Sequence, residues 1–281
     1  MKQKLYIFGK QKNLVGILQS PDKESNNLTT PIILILNSGL VNKSGPFRMN
    51  AELSRYLQKL NLKVFRFDLS GIGDSQLVAN DGRVYSDRNL DDIGEALELL
   101  EGLFPKRPVI VLGLCTGADL AHKSAVRYEM IKGVILLDGY GYPTVRFYWI
   151  KYSHMFLSFP KLIRLPLKII KRVTGILSNR LSGFRRSVDS YFWVLPSKSK
   201  YIEDLSRLSK RGCKQLYIFS SGVRDYYNYH DQLRDSVSRQ DILGDISVVI
   251  NHAADHTYIM LEERNRLFNT ISTWISNEFL K

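Results

Sequence analysis

The stretch "RPVIVLGLCTGADLAHKSA", residues 107–125, decides the fold class. The short apolar run from Val109 to Leu112 predicts a buried strand, and the alanine-rich pattern after Gly117 predicts a helix. Glycines at 113 and 117 flank Cys115 at two-residue spacing, as a tight turn requires where the backbone passes close to neighbouring elements. A strand that turns sharply into a helix indicates an α/β protein with a parallel sheet.

The strand–helix alternation continues along most of the chain. An N-terminal hairpin is indicated by alternating apolar residues at Leu5, Ile7, Val15 and Ile17. Further strands are predicted at 31–39, 62–70, 108–114, 131–139, 214–222 and 245–253. Helices are predicted at 49–60, 89–103, 117–128 and 261–280. We therefore expect a mostly parallel, doubly wound sheet with helices on both faces.

One segment, residues 140–205, interrupts this alternation and carries most of the charge. It contains aromatic and basic helical patterns without a clear strand, so we predict an inserted helical cap between two parts of one core, 1–139 and 206–281. The formal net charge of the chain is +13, and residues 140–200 hold twelve Lys and Arg against one acid, Asp189. A basic face of this kind attracts polyanions or is simply solvated.

The bulk composition is typical of a globular protein that stays in a reducing compartment. There are only two cysteines, and the N-terminus alternates charge with apolar residues rather than forming a signal peptide. No apolar run reaches the length of a membrane span. We expect a cytoplasmic protein, with a peripheral position at the inner membrane face as an option.

Chemically useful side chains stand at the ends of the predicted strands. In an open parallel sheet these ends meet at one edge, where ligands bind. Cys115 follows one strand, Asp138 the next, Asp225 lies three residues after Gly222, and His256 follows the last strand. The order nucleophile, acid, histidine is typical of hydrolases with a strand–turn–helix nucleophile.

The motifs at these positions resemble the α/β-hydrolase superfamily along most of the chain except the cap. "DLSGIGDS" is similar to the D-x-x-G-x-G-x-S loop of the superfamily, and "GLCTGAD" to its nucleophile elbow, with Cys in place of Ser. Together with "LNSGLVNKSGP" and "LDGYGYPT", they most resemble the hydrolases associated with exosortase and exopolysaccharide gene clusters, whose members also carry Cys in the elbow. The resemblance implies an α/β-hydrolase fold and an acyl-transferring or acyl-cleaving enzyme, without specifying a substrate.

Cys115 is the candidate nucleophile, and a buried, inert thiol is the alternative. The predicted helix N-terminus after it favours the thiolate. Cys213 precedes a strand and has no such setting, so we interpret it as structural. We expect neither a cofactor nor a metal ion.

His256 is the candidate base because "ADHTY" followed by a long helix matches the histidine position of the superfamily. Its competitors are His122, His154, His230 and His252. His122 falls inside the predicted helix after the elbow and His154 in the cap, where packing or surface roles fit, and His252 lies directly after the last strand. The orienting acid is predicted to be Asp225, since the superfamily usually supplies its acid at that strand end. Asp138 is the main rival, because some members use the end of the previous strand.

The predicted oxyanion hole consists of two backbone N–H groups, from Leu40 and Thr116. The resulting hypothesis is a Cys-His-Asp hydrolase that cleaves or transfers the acyl group of an ester or thioester through an acyl-enzyme. The alternative is a non-catalytic protein of the same fold that binds an anionic membrane or an acidic partner, such as an acyl carrier protein, through the basic cap. Nucleic acid is disfavoured as a partner, because no nucleic-acid module is recognisable.

Overall fold

A computed structural model describes residues 2–22, 29–78, 82, 84–156, 195–237 and 242–280. Its centre is an eight-stranded sheet in the order β1-β2-β4-β3-β5-β6-β7-β8. The strands are β1 Lys2–Phe8, β2 Leu14–Ser20, β3 Ile32–Ile35, β4 Lys63–Asp68, β5 Val109–Leu114, β6 Ile131–Leu137, β7 Lys214–Ser220 and β8 Ile246–Asn251. The predicted α/β-hydrolase fold class is confirmed.

The pairing of the strands follows from their apolar patterns. The first hairpin is antiparallel, and β2 pairs antiparallel with β4. From β4 to β8 all neighbours are parallel, and the near-continuous apolar runs of β3 and β5 are buried on both faces. Because β3 and β5–β8 are parallel, their carboxyl ends lie along one edge, as predicted.

Helices cover both faces of the sheet. They are α1 Met49–Lys59, α2 Tyr85–Leu103, α3 Thr116–Arg127, α4 Val145–Phe156, α5 Lys198–Lys210, α6 Gln232–Ser236 and α7 Leu261–Phe279. α1 and α7 supply apolar side chains to the core on one face. α2, α3 and α5 supply those on the other face. The site therefore rests on a doubly covered, rigid sheet edge.

Two helices of the predicted cap region, residues 140–205, lie among the described residues. α4 begins shortly after β6, and α5 crosses the predicted boundary at 205. Three α5 side chains, Tyr201, Leu205 and Leu208, are fully buried in the core cluster, so α5 is a layer helix of the sheet. The basic, apolar stretch 157–194, which carries most of the cap prediction, lies outside the described residues.

A search of the described residues for transmembrane helices finds none with the length and apolar character to cross a bilayer.

Candidate active site

Cys115 sits at the sharp turn between β5 and α3. Its backbone is left-handed, with φ 58° and ψ −118°, which is rare for a residue with a side chain. A Cβ at Gly113 would overlap the carbonyl of Gly117, and a Cβ at Gly117 would overlap that of Asn37. The glycine spacing therefore has the steric cause expected from the sequence. The turn presents a half-buried thiol at the N-terminus of α3.

His256 pairs with Asp138. The two residues are 118 positions apart in sequence, and Nδ1 of His256 donates to Oδ2 of Asp138 at 2.7 Å. The carboxylate is fully buried, whereas the imidazole is 39% exposed. Asp138 follows β6 in a left-handed conformation with φ 53°, and its N–H donates to the Ile218 carbonyl at 2.9 Å.

Asp225 does not occupy the predicted position beside His256, which corrects the sequence expectation. Its side chain is 96% exposed and forms an ion pair with the Lys151 ammonium of α4 at 3.0 Å. The Asp225 carbonyl accepts a second bond from the same ammonium at 2.9 Å. The chain passes through a 3₁₀ turn, Ser221–Val223, before Asp225, and this turn carries the carboxylate away from the sheet edge. Asp138, the rival, is the acid that the geometry supports.

The Cys115 thiol is also close enough to the same imidazole to affect its pKa. Because Nδ1 is committed to Asp138, Nε2 is the ring nitrogen left for the thiol. The hydrogen bond to Asp138 and then the interaction with Cys115 raise the pKa of His256 to about 10, against the opposing effect of burial.

The loop after β3 is tied directly to the elbow. Ser38 Oγ donates to the Leu114 carbonyl at 3.1 Å, and the Gly39 N–H donates to Thr116 Oγ1 at 2.7 Å. These bonds bring the segment with Leu40 alongside the start of α3. Among the described residues, the N–H groups of Leu40 and Thr116 donate to no protein acceptor. Both are thus available to a ligand atom.

A buried ion pair stabilises the loop after β3. Asp68, at the end of β4, is fully buried and accepts from the Lys43 ammonium at 2.7 Å. The same carboxylate accepts from the Asn37 amide at 3.2 Å, and that amide also donates to the Val41 carbonyl at 2.8 Å. A Cβ at Gly73, with φ 55°, would overlap the Asp68 carboxylate. The "DLSGIGDS" stretch therefore packs glycine against an acid that fixes the loop holding Leu40.

Several further polar groups surround Asp138 that sequence reasoning missed. The Ser220 N–H and hydroxyl donate to its two carboxylate oxygens at 2.6 and 2.7 Å. The Tyr226 hydroxyl donates to its carbonyl at 3.1 Å, and burial followed by the charge of Asp138 raises the pKa of Tyr226, which keeps it a neutral donor. No sequence motif marks a serine or tyrosine in such a turn, so only the strand-end position could have suggested them.

The remaining candidates lie away from this edge. Cys213 is fully buried, and burial raises the pKa of its thiol to about 11, which fits a structural thiol. His122 is buried in α3 against Tyr201, whereas His230 and His252 are exposed. His154 lies in α4, and its side chain is outside the described set. Within the described ranges no cluster of His, Cys, Asp or Glu suits a metal ion.

The chain matches a model of a known protein family. The family model described as "Serine aminopeptidase, S33" matches residues 31–180, just over half of the chain. The match includes the loop after β3, the elbow and Asp138. No curated protein sequence shows significant similarity to the chain.

Solved structures of low sequence identity share the fold over nearly the whole length. A dienelactone hydrolase from Anabaena variabilis superposes with a TM-score of 0.59 at 13% identity, covering 99% of this chain and 100% of its own. The mouse α/β-hydrolase domain-containing protein 10 gives 0.56 at 17% identity, covering 98% and 99%. An α/β serine hydrolase homologue from Coxiella burnetii gives 0.53 at 15% identity, covering 96% and 97%. At these identities the likeness is one of fold.

Proposed function

The chain belongs to the family described as serine aminopeptidase, S33, within the α/β-hydrolase superfamily, and from that premise we propose that it cleaves or transfers acyl groups with Cys115 as nucleophile, His256 as proton carrier and Asp138 as orienting acid. The observation that carries the proposal is the bond from His256 to the buried Asp138, with the Cys115 thiol close to the same imidazole, beyond the carboxyl ends of β8, β6 and β5. The hydrolase family is shown by the match. The cysteine chemistry, the ester or thioester substrate and the kinship with exosortase-associated hydrolases are proposals.

The first half-reaction forms a thioester on the enzyme. We propose that the proton of the Cys115 thiol rests on Nε2 of His256, so that the two residues form an ion pair and Sγ reacts as the thiolate. Sγ attacks the acyl carbonyl carbon, and the π electron pair moves onto the carbonyl oxygen. Collapse of this tetrahedral species expels the alcohol or thiol, which takes the proton from Nε2 of His256. In the second half-reaction, water or another acceptor gives its proton to His256 and attacks the thioester, which frees Cys115.

The tetrahedral oxyanion needs donors placed in advance. The N–H groups of Thr116 and Leu40 suit this role because both are uncommitted among the described residues, on segments joined by the Gly39–Thr116 bond. Thr116 also begins α3, so the helix dipole adds to the stabilisation.

Cysteine in place of serine shapes the choice of substrate. A thiolate beside an imidazolium attacks activated acyl carbonyls without a separate deprotonation step. A thiolate is also expelled more readily than an amide nitrogen, so the tetrahedral species from an amide tends to revert. We therefore propose esters and thioesters as substrates, although the matched family is described as a peptidase.

The test compares Cys115→Ala with Cys213→Ala, which also removes a thiol but from the core. Both variants are assayed on p-nitrophenyl acetate, on a short-chain acyl thioester and on an aminoacyl p-nitroanilide. We expect wild-type protein and Cys213→Ala to turn over the ester and thioester, and Cys115→Ala to lose that activity. Full activity in Cys115→Ala would refute the proposal. Activity of the wild-type protein on the anilide alone would indicate a peptidase instead of an esterase or thioesterase.

Hydrolysis and acyl transfer differ in the lifetime of the acyl-enzyme. Intact-protein mass spectrometry after mixing with the thioester measures the mass of the acyl group on the chain. An adduct absent from Cys115→Ala that persists in water and disappears on adding an amine or alcohol acceptor indicates transfer. An adduct that decays in water at the rate of turnover indicates hydrolysis.

A second candidate function, association with an anionic membrane, is favoured by the surface of α4. This helix contains no acidic residue, carries Arg146 and Lys151, and leaves Trp149 72% and Val145 88% exposed. Exposed aromatic and basic side chains on one helix suit the interface of an anionic bilayer. The non-catalytic alternative would retain this association and lack the acyl chemistry.

Vesicle sedimentation tests the association. We expect binding to vesicles with phosphatidylserine, loss of binding at high salt, and weaker binding of Trp149→Ser. Ile7→Ser serves as the matched control, because Ile7 is 64% exposed on the opposite edge strand. Equal binding of both variants, or binding only to an acidic carrier protein, would contradict the membrane proposal.

A further inference from the structure

The turn after β7, Ser220-Ser221-Gly222, occupies the strand end where the sequence predicted the acid. It supplies no carboxylate to the site. Instead, Ser220 binds Asp138, Gly222 lies against His256, and Ser221 binds the Ala254 carbonyl in the segment that leads to His256. Ser220 is 2% exposed, so its polar atoms must be satisfied by these neighbours rather than by bulk water.

The hydrogen-bond pattern fixes the direction of the Ser220 hydroxyl proton. The Gly222 N–H donates to Ser220 Oγ at 3.1 Å, so at this contact Oγ is an acceptor. The single hydroxyl proton is then directed to Oδ2 of Asp138, 2.7 Å away, the same oxygen that accepts from His256. With the Ser220 N–H on Oδ1 at 2.6 Å, the carboxylate cannot rotate without losing a charge-assisted bond.

The rest of the turn holds the histidine segment at a fixed distance from this carboxylate. The N–H and hydroxyl of Ser221 both donate to the Ala254 carbonyl, at 2.9 and 2.7 Å. A Cβ at Gly222 would lie 2.7 Å from the Cβ of His256, so only glycine permits this approach. One turn thus binds the acid on one side and the histidine segment on the other.

We propose that Ser220 is a positioning residue that holds His256 in its productive orientation by fixing the carboxylate of Asp138. The inference rests on the proposed function, because orientation matters only if His256 carries protons for Cys115. The simpler view is that the hydroxyl only satisfies a buried acid. The two views differ in whether the His256–Asp138 bond changes when the hydroxyl is removed.

The experiment compares three substitutions. Ser220→Ala removes the donor, and Ser220→Thr keeps it. Ser220→Cys keeps the shape of the side chain but offers only a weak S–H donor, which guards against a cavity defect. Ser236→Ala is the control, because the Ser236 hydroxyl is 1% exposed and donates to the Leu233 carbonyl within α6.

Two readouts are taken, one without substrate. The downfield proton NMR resonance of Nδ1–H reports the His256–Asp138 bond directly. We expect it to broaden through exchange with water in Ser220→Ala and Ser220→Cys, and to remain sharp in Ser220→Thr and Ser236→Ala. The value of kcat should fall by about 10-fold in Ser220→Ala with KM unchanged, as for loss of one hydrogen bond to a charged group.

The outcomes separate the inference from the proposed function. An unchanged resonance in Ser220→Ala and Ser220→Cys overturns the inference, and so does equal broadening in Ser236→Ala. If Cys115→Ala retains the activity, the proposed function fails, while the resonance still measures whether Ser220 holds the pair. A resonance lost with the hydroxyl and restored by threonine supports the positioning role.

Discussion

Nδ1 of His256 lies 2.7 Å from Oδ2 of Asp138, and the carboxylate that makes this bond is fully buried. The acid thus comes from β6, the strand directly beside β5 with its Cys115 elbow. Two of the three groups proposed for catalysis, Cys115 and Asp138, therefore directly follow adjacent strands inside the sheet, and neither lies in the loop that follows β7.

Replacing the acid separates Asp138 from the residue that the sequence favoured. We expect Asp138→Asn to lower kcat by about 10²-fold, less than the loss of about 10⁴-fold in a serine triad, because a thiolate–imidazolium pair needs less support. Asp225→Asn should leave kcat within about 2-fold, since it alters an exposed ion pair. Steady-state kinetics on the thioester measure both, and a larger loss in Asp225→Asn would reverse the assignment.

The pH dependence follows from the raised pKa of His256. The imidazolium that gives its proton to the leaving group persists until the pH approaches about 10, so kcat/KM for acylation should fall as the pH rises through that value. In Asp138→Asn, which removes the largest cause of the shift, this alkaline limb should move to lower pH. The profile is measured as kcat/KM at each pH, after subtraction of the uncatalysed rate in the same buffer. An alkaline limb near 6.5 in the wild-type protein would contradict the proposed ion pair.

The buried pair behind the loop of Leu40 predicts a loss of stability. Lys43→Met leaves Asp68 buried without its cation, and we expect the free energy of unfolding to fall by about 3–5 kcal/mol. Glu262→Gln, which breaks an exposed pair with Arg266 on α7, should cost at most about 0.5 kcal/mol. Urea titration measures both. Similar losses in the two variants would show that the buried pair of Lys43 and Asp68 contributes no more to stability than an exposed pair.

Glycine at the elbow is required for steric reasons that another glycine does not share. Gly113→Ala places a methyl group against the Gly117 carbonyl, and we expect loss of folding or of more than about 3 kcal/mol of stability. Gly102→Ala, near the end of α2 with nothing within 4 Å of the new Cβ, should raise stability by up to about 1 kcal/mol. Thermal unfolding of both variants tests the contrast, which would fail if Gly113→Ala were neutral.

The sheet and the elbow could be predicted because their signals are local. Apolar runs such as 31–39 are long enough to require burial, and the glycine spacing around Cys115 reflects contacts within a few residues. α5 was missed because its buried residues Tyr201, Leu205 and Leu208 fall next to a basic, aromatic segment that obscured the helical spacing.

The acid could not be chosen from the sequence because both candidates follow a strand. The choice depends on backbone geometry after each strand: Asp138 turns at once in a left-handed conformation toward β7, whereas the chain makes a 3₁₀ turn before Asp225. Ser220 was missed for a related reason. A hydroxyl in a turn has no signature until its partner is known.

The bond from Lys151 to Asp225 has a consequence for how this protein can diversify. Because the proposed acid, Asp138, follows β6, Asp225 in the loop after β7 takes no part in the proposed chemistry and anchors α4 instead, through one exposed side chain and one carbonyl. Mutations that loosen, shift or replace α4 can therefore accumulate while the reacting groups stay in register. Substrate specificity can therefore change through substitutions in α4 while the positions of Cys115, His256 and Asp138 are retained.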